Sequence, residues 1–347
     1  MNIVIAILVF GLLIFIHEFG HFLAARAGKI KVNEFAIGMG PKIASVKSKR
    51  ETEFSLRALP IGGFCSMLGE DEALDDPDAF NSKNVWTRIM VVVAGPFFNF
   101  LLAFVLALIL IGAVGYDPAV VNHVEAGMPM AEAGILDGDI ITEFRGHTVT
   151  FSRELNSDLM VEPLSNQPVE IVIDRDGEKL SFTVTPTLDQ GVYRLGFSYY
   201  VNERYKTSFS KTILYSFKEV GFQIENVVRS IGMMIRGQVR ASDISGPVGI
   251  VNIIGETVEE TKSEGVGIVL LNIINIAILL SANLGVMNLL PIPALDGGRL
   301  LFLIIEVLRG KPIDQEKEGW VHTIGMILLL ALMAVIFFND ILRLIRG

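Results

Sequence analysis

The residues His17-Glu18-Phe19-Gly20-His21 form an H-E-x-x-H pattern, which is typical of zinc-dependent hydrolysis. Residues four apart share one face of a helix, so His17 and His21 can offer two imidazoles to a single ion. Glu18 then stands beside them, where a carboxylate can take a proton from water at the zinc. A third ligand must come from elsewhere in the chain.

The motif lies within an apolar segment. Residues 12–16 and 22–25 are all apolar, and no charged residue precedes Glu18. Ionisable groups within a membrane span cost about 2.5–3.5 kcal/mol each and are usually functional. The alternative is a chance match in a soluble core helix, but such a helix would carry a polar stripe, and this segment has none apart from the motif.

Composition indicates several membrane spans together with an extramembrane module. Of the 347 residues, 51% are hydrophobic and only 19% are charged. The net charge of -9 disfavours a nucleic-acid partner, since no Lys/Arg stripe with interleaved aromatics is present. The single cysteine, Cys65, excludes an intramolecular disulfide and a cysteine-based zinc site.

Four segments are long and apolar enough to cross a bilayer, which takes about 20 helical residues. They lie at about residues 1–26, 89–114, 266–290 and 321–342. The sequence therefore predicts a multi-pass α-helical membrane protein with four transmembrane helices. The first segment lacks the positive n-region of a signal peptide, so we expect it to be retained.

The loops between these segments predict an orientation. Lysine and arginine are frequent in loops 27–88 and 297–320, which places both loops in the cytoplasm. Both termini and residues 116–204 are then extracytoplasmic, although Arg343 and Arg346 argue mildly against this arrangement. His17 is about 24 Å along the first helix, so the zinc site would lie toward the cytoplasmic side.

Loop 27–88 contains two strand-like runs, Glu34–Ile37 and Glu53–Leu59. Turn-forming residues interrupt them at Gly38, Gly40, Pro41, Pro60, Gly62 and Gly63. The pattern predicts turns and hairpins, in a membrane-associated β element beside the site. The alternative is a small cytoplasmic β-cap with no role toward substrate.

Residues 116–204 predict one compact α+β module. The runs Val169–Ile173 and Leu180–Val184 flank Arg175-Asp176-Gly177-Glu178, a hairpin signal. The segment Ala131–Ile141 resembles the start of bacterial PDZ domains, and Arg194–Phe197 resembles their carboxylate loop. A PDZ-like domain would hold a peptide C-terminus by β-augmentation. Alternatively, the module is a rigid plug that filters substrates by size.

Residues 205–265 predict an amphipathic helix and a connector. Apolar residues recur at steps of three and four between about 207 and 237. The helix would lie on the outer membrane surface or pack on the preceding module. Ser245–Ile250 is a Gly/Pro turn that leads toward the third span.

The third span ends at a proline break, Pro291-Ile292-Pro293, because proline cannot continue a helix. Asp296 follows on a glycine-flanked turn, from which its carboxylate can reach another helix. It is the natural third ligand for a two-histidine, one-carboxylate zinc site with an open position. The alternative is that Asp296 only caps the next helix.

The predicted organisation has four parts. Residues 1–115 hold the first two transmembrane helices and loop 27–88, and residues 116–204 the PDZ-like domain. Residues 205–265 are the connector, and residues 266–347 hold the last two transmembrane helices.

Four strings together resemble site-2 proteases, of the bacterial regulator-of-sigma-E protease type with a single PDZ-like domain. They are His17–His21, Ala94-Gly95-Pro96-Phe97-Phe98-Asn99, Ser245–Ile250 and Asn288–Gly298. The resemblance implies His17, His21 and Asp296 as Zn²⁺ ligands and Glu18 as the catalytic base. It also implies Asn288 as a residue that holds the substrate backbone, and Asn99 as a polar residue near the site with a substrate role. For both asparagines, an interhelical hydrogen bond is the alternative.

The resemblance further implies regulated intramembrane proteolysis in the inner, cytoplasmic membrane. The partners would be membrane lipid and single-pass membrane proteins, such as anti-sigma factors or remnant signal peptides. One alternative is a zinc transporter or metal sensor, which would need an open ion pathway with further ligands. His123, His147 and His322 instead fall in the outer module or at the start of the fourth span, and Glu18 would have no role. Another is an inactive PDZ-bearing scaffold, against which the intact Glu18 argues.

Overall fold

The computed structural model describes residues 2–49, 51–70, 72, 74–201, 203–238 and 246–346. Their contacts divide the chain into two compact units. One unit is Met1–Leu106 with Met234–Gly347, and it contains the H-E-x-x-H motif. The other is Ala107–Met233.

Four helices of the described residues are long and apolar enough to cross a membrane. Their mean hydropathy lies between 2.1 and 2.7, and only 6% of the apolar stretch of the last one is buried. The helices are α1 (Asn2–Ala27), α2 (Val85–Val114), α7 (Val266–Leu289) and α9 (Gln315–Arg346). Each predicted span falls on one of them, so the predicted helices are confirmed.

Loop 27–88 forms a hairpin of two long strands, β1 (Val32–Lys47) and β2 (Glu53–Met67), that folds back on itself. Its outer part pairs residues 39–47 with residues 53–59, whereas Glu34–Ile37 pairs on one edge with residues 63–66 and on the other edge with residues 53–56. Both predicted strand-like runs and their hairpin pairing are confirmed, although each strand extends beyond its run. Gly38, Gly40 and Gly62 have a positive φ where the pairing changes partner. Phe35 of β1 packs edge-on against Phe15 and Phe22 of α1, with ring centroids 5.8 and 5.4 Å away. These aromatic contacts hold the base of the hairpin against α1.

The second unit contains an antiparallel six-stranded sheet with strand order β10-β3-β4-β6-β7 and β5 paired to β4. Arg175 pairs with Glu178, and Asp176 between them has a φ of 54°, as the predicted two-residue hairpin turn requires. That hairpin is therefore confirmed. The strands are β3 (Ala119–Val124), β4 (Ile140–Phe144), β5 (His147–Thr148), β6 (Val169–Arg175), β7 (Glu178–Val184) and β10 (Phe197–Tyr199).

Alternation of side chains along the strands gives this sheet one buried face, with Ile141, Phe144, Ile171 and Ile173 in its core. Leu155 from the helix over that face completes the core. The remaining elements are α3 (Pro129–Glu132), α4 (Ser152–Val161) and a separate hairpin of β8 (Thr187–Asp189) and β9 (Val192–Arg194).

The predicted amphipathic helix is α5 (Phe209–Ile235). Its buried Glu219 pairs with Arg153 of α4, and the guanidinium of Arg153 also stacks over Phe151 and Phe222. Burial raises the pKa of Glu219 above its ordinary value. These contacts show that α5 packs on the sheet module, which is one of the two placements expected for it.

A further helix, α6 (Pro247–Thr261), occupies the place where the sequence predicts only a turn. Ser245, the first residue of that predicted turn, lies outside the described residues. The backbone N–H groups of Gly246 and Gly249 donate to the two carboxylate oxygens of Asp340 in α9, over 3.2 and 3.1 Å. A carboxylate from a distant helix therefore caps α6, where it also complements the positive helix end.

The proline break positions the start of α8 (Asp296–Arg309). A Cβ on Gly297 would lie 2.1 Å from the carbonyl oxygen of Leu290, so glycine is needed for the helix to begin against the broken segment. Ala294 has a left-handed φ of 76°, and its N–H donates to Nδ1 of His322 over 3.0 Å. The chain is thus turned sharply so that Asp296 points back toward the membrane helices.

We predict that Asp340→Ala loosens the first turn of α6, because two buried N–H groups lose their acceptors. Loss of a helix cap costs about 0.5–2 kcal/mol. Hydrogen exchange measured by mass spectrometry should show faster exchange for residues 246–252. Asn339→Ala is the control, since it removes a neighbouring polar side chain and leaves the capping carboxylate in place. Unchanged exchange in Asp340→Ala would mean that the cap does not hold α6.

Candidate metal centre

His17 and His21 stand one turn apart on α1 and point to the same place. Their Nε2 atoms are 3.2 Å apart, and each residue is only 7% exposed. The i, i+4 spacing on one helical face produces this convergence, as the sequence predicts.

Asp296 of α8 brings a carboxylate to the same point. Its Oδ2 atom lies 3.0 Å from Nε2 of His17 and 3.4 Å from Nε2 of His21. The N-cap position of α8 belongs to Leu295 rather than to Asp296, so the observed geometry is not that of a helix cap. The ligand atoms of the three residues all lie within 4.8 Å of one another.

These residues fit a zinc ion. Two imidazole nitrogens and one carboxylate oxygen are a common donor set for catalytic zinc, which keeps a fourth position open. The Oδ2 atom of Asp296 is buried and makes no well-formed hydrogen bond, so a cation at this point would compensate it. Among the described residues, no other group of three or more such side chains converges in this way.

One face of α2 supports the two histidines from behind. The carbonyl oxygen of Val91 lies 2.8 Å from Nδ1 of His21, and Nδ2 of Asn99 lies 3.0 Å from Nδ1 of His17. Val91, Gly95 and Asn99 are spaced four residues apart, so they form one line along the helix. Contacts to the outer ring nitrogen fix the orientation of a metal-binding imidazole.

Gly95 allows α2 to approach the histidines. A Cβ at this position would lie 2.2 Å from Nε2 of His21 and 2.8 Å from Cε1 of His17. Gly20 has the matching role on α1, where a Cβ would lie 2.5 Å from the carbonyl oxygen of Ala94. The two helices therefore meet through glycines at the level of the site.

Glu18 faces a cavity of about 230 Å³ beside the histidines. Its carboxylate accepts a hydrogen bond from the backbone of Cys65 on β2. The hairpin thus contacts Glu18 through its backbone. The cavity is lined by Ile14, His17, Glu18, Leu284, Asn288, Ala294, Leu295 and Asp296.

The two asparagines occupy different places. Asn288 lines the cavity beside Glu18 and Asp296, where a substrate can be contacted. Asn99 is 0% exposed and lies behind His17, so it does not reach the cavity surface as the expected substrate role requires. Ser281 of α7 anchors it further, because its hydroxyl donates to the backbone carbonyl of Asn99 over 2.7 Å.

Sequence reasoning missed three contributors, namely the Val91 carbonyl, the Cys65 backbone and Ser281. Backbone groups carry no signature of their own in a sequence. For the Val91 carbonyl, the available signal was Gly95, because a glycine in the interior of an apolar helix indicates that another element approaches the helix closely. Ser281 was visible only as a polar residue within an apolar span.

We predict that Gly95→Ala lowers zinc affinity about 10- to 100-fold, because the added methyl group overlaps the ring of His21. Overpacking of this kind typically costs about 1–3 kcal/mol. The measurement is zinc titration against a fluorescent chelator in detergent. Gly112→Ala in the same helix is the control, since no atom lies within 4 Å of its added Cβ. Equal zinc affinity in both variants would contradict the close approach of α2.

Comparison with known proteins identifies the family. The sequence profile described as Peptidase family M50 matches residues 5–332. The chain is 34% identical to Zinc metalloprotease RasP of Bacillus licheniformis over 433 aligned positions, covering 99% of this chain and 100% of the relative. It is 32% identical to Regulator of sigma-W protease RasP of Bacillus subtilis, covering 99% of each.

Among solved structures, a match covers 26% of this chain and all of the PDZ domain of the SdrC-like protein from Listeria innocua. The identity is 25% and the TM-score is 0.22. The family profile and the two relatives cover nearly the whole chain, including both parts of the candidate metal centre. The chain therefore belongs to peptidase family M50 and is a zinc metalloprotease.

Proposed function

We propose that His17, His21 and Asp296 bind the catalytic zinc ion and that Glu18 is the general base and acid of intramembrane peptide hydrolysis. The convergence of the three ligand atoms within 4.8 Å, beside a cavity that Glu18 lines, carries this proposal. The zinc ion, when bound, supplies Lewis-acid chemistry that polarises a peptide carbonyl and acidifies a water molecule.

Glu18 performs the proton transfers in this mechanism. Its carboxylate takes the proton of the attacking water and returns it to the leaving amine. The hydrogen bond from the Cys65 backbone holds the carboxylate at the cavity and leaves its other lone pairs available. Because a backbone group rather than a flexible side chain orients the Glu18 carboxylate, little conformational entropy is lost when the carboxylate is positioned for reaction.

The substrate must be extended at the cleavage point. A transmembrane helix buries its carbonyls in i to i−4 hydrogen bonds, so the scissile peptide becomes accessible only after local unwinding. Near Cys65, β2 pairs with Phe35 of β1 on one edge, and on the other its backbone reaches Glu18 at the cavity that Asn288 lines. We assign Asn288 and this edge to holding the unwound segment.

The proposed substrates are single-pass membrane proteins. The relative from Bacillus subtilis is named as a regulator of sigma-W, which supports anti-sigma factors as one class, and remnant signal peptides are a second. The second unit would act as a PDZ-like domain that either binds a new peptide C-terminus or filters by size. β10 is the first strand in the order of the sheet, and the hydroxyl of Tyr199 on it donates to Asn156 of α4 over 3.2 Å.

The alternatives find less support. A zinc transporter or metal sensor needs further ligands along a pathway, but His123 and His147 lie in the second unit, and His322 accepts a hydrogen bond from Ala294. An inactive scaffold would not need Glu18 at the cavity. Membership of a peptidase family agrees with catalysis.

The proposed orientation places the β1–β2 hairpin in the cytoplasm and the second unit outside. The lysine and arginine content of residues 27–88 supports it through the positive-inside rule. The zinc site then lies toward the cytoplasmic side of the inner membrane.

We predict that Glu18→Gln lowers cleavage of a model membrane substrate by at least about 100-fold while zinc stays bound, because the amide keeps the shape but cannot take a proton. Turnover of a fluorescent single-pass substrate and zinc content are measured on the same preparations. Glu178→Gln, in the exposed turn of the second unit, is the control and should cleave normally. Retained turnover or lost zinc in Glu18→Gln would exclude the assigned role.

The orientation predicts a labelling pattern. Cys65 is 7% exposed, and burial together with the nearby Glu18 and Glu70 raises the pKa of its thiol, so the native cysteine is a poor probe. In a Cys65→Ser background, Lys179→Cys should react with an impermeant maleimide in cells whose inner membrane is intact. Lys49→Cys, near the hairpin tip, should react only after lysis. The opposite pattern would reverse the proposed orientation.

A further inference from the structure

Asn99 makes a contact that the proposed mechanism does not use. Its Nδ2 atom lies 3.0 Å from Nδ1 of His17, and the residue is 0% exposed. Its Oδ1 atom is buried without a hydrogen-bond partner. A buried amide oxygen without a partner is costly, so its presence beside a proposed zinc ligand calls for a reason.

The ring of His17 has two proton arrangements. With Nδ2 of Asn99 donating, Nδ1 of His17 accepts, so the neutral ring carries its proton on Nε2. That N–H can donate to Nε2 of His21 over 3.2 Å, and the carboxylate of Asp296 lies 3.0 Å away, so the arrangement is self-consistent without an ion. Metal binding instead requires the Nε2 lone pair, so the proton must reside on Nδ1.

An asparagine can serve both arrangements. Rotation of its amide by half a turn brings Oδ1 to the place of Nδ2, where it accepts from the Nδ1–H group of His17. The same rotation exchanges the two amide atoms, so Nδ2 then occupies the place where Oδ1 now lies without a partner. Aspartate can only accept at this position, and leucine can do neither.

His21 differs from His17 in this respect. Its Nδ1 faces the backbone carbonyl of Val91 at 2.8 Å, and a carbonyl only accepts, so Nδ1 of His21 always carries the proton. The Nε2 lone pair of His21 is therefore permanently available. The proton position on His17 alone depends on a side chain that can rotate.

We infer that Asn99 is a positioning residue that sets the tautomer of His17 and, by rotation of its amide, allows the site to pass between a metal-free and a metal-bound arrangement. The anchor from Ser281 to the Asn99 backbone holds the amide at the right height on α2. This inference rests on the proposed zinc ligand set and gives Asn99 a task other than substrate binding.

The test compares the zinc affinity of full-length variants in detergent, by titration of zinc against a fluorescent chelator. Asn99→Leu should bind zinc about 10- to 100-fold more weakly, the range typical for loss of a partner behind a metal-binding histidine. Asn99→Asp keeps an acceptor for Nδ1–H and should bind zinc more tightly than Asn99→Leu. Its metal-free form should nevertheless have the lower thermal stability of the two, because it buries a charge.

Asn275→Leu is the matched control, since it removes another amide from an apolar helix, α7, and should leave zinc affinity unchanged. Nitrogen NMR of selectively labelled histidine provides a second readout on the unaltered protein. The His17 proton should move from Nε2 to Nδ1 when zinc is added, while the His21 proton stays on Nδ1. This measurement does not depend on whether Asn99→Leu folds.

The outcomes separate the two proposals. If His17→Ala binds zinc as tightly as the unaltered protein does, the ligand set itself is wrong. If His17→Ala loses zinc but both Asn99 variants bind equally weakly, or as tightly as the unaltered protein, Asn99 has only a packing role and the inference is overturned. An unchanged His17 proton position on addition of zinc would overturn it as well.

Discussion

Placing ionisable groups inside an apolar helix is the constraint on which this structure depends. His17, Glu18 and His21 together cost of the order of 10 kcal/mol on insertion scales, before any compensation. Structural zinc in zinc-finger peptides binds with about 10–16 kcal/mol at neutral pH, so zinc binding at protein ligands can reach the size of that cost. Without the ion, the carboxylate of Asp296 and the hydrogen bonds behind the rings provide the compensation. The other elements near the site serve to deliver these partners.

The second span delivers most of them through one helical face. Gly95 removes the side chain that would collide with the rings, and Val91 and Asn99, one turn away on either side, reach His21 and His17. Pro96 follows directly and has no N–H group, so the helical hydrogen-bond ladder is locally open on this stretch. The stretch from Gly95 to Asn99 therefore has three effects. Gly95 allows the close approach of the two helices, Pro96 opens the hydrogen bonding of the helix, and Asn99 supplies a polar side chain.

The sequence predicted the parts of the site that local rules determine. The pair His17 and His21 depends only on helical spacing. Asp296 could be predicted because two prolines end the third helix just before it, so its side chain lies on a turn and can reach another helix. The hairpin turn was also predictable from a local rule, because a two-residue turn of this type needs positive φ at both residues and Asp176-Gly177 can adopt it.

Features that depend on distant partners could not be predicted in this way. Helix α6 is capped by Asp340, which lies 94 residues from Gly246 along the chain. The inward direction of Asn99 follows from the rotation of α2 about its axis, which Gly20 and Gly95 determine together. The pairing of Glu34–Ile37 with two stretches of β2 was not predictable either, because the pattern of a strand does not say which other stretches lie on its two edges.

The hairpin also connects substrate and base in the proposed mechanism. Cys65 on β2 donates its backbone hydrogen bond to Glu18, and Gly63, two residues earlier on the same strand, lies close to the Glu18 side chain. A substrate segment that pairs with the edge of β2 would therefore restrain the strand that holds the base. Binding of an extended peptide would then also orient the carboxylate of Glu18. Such coupling would confine proton transfer to moments when an unwound peptide occupies the cavity, which an ionisable site within a lipid environment requires.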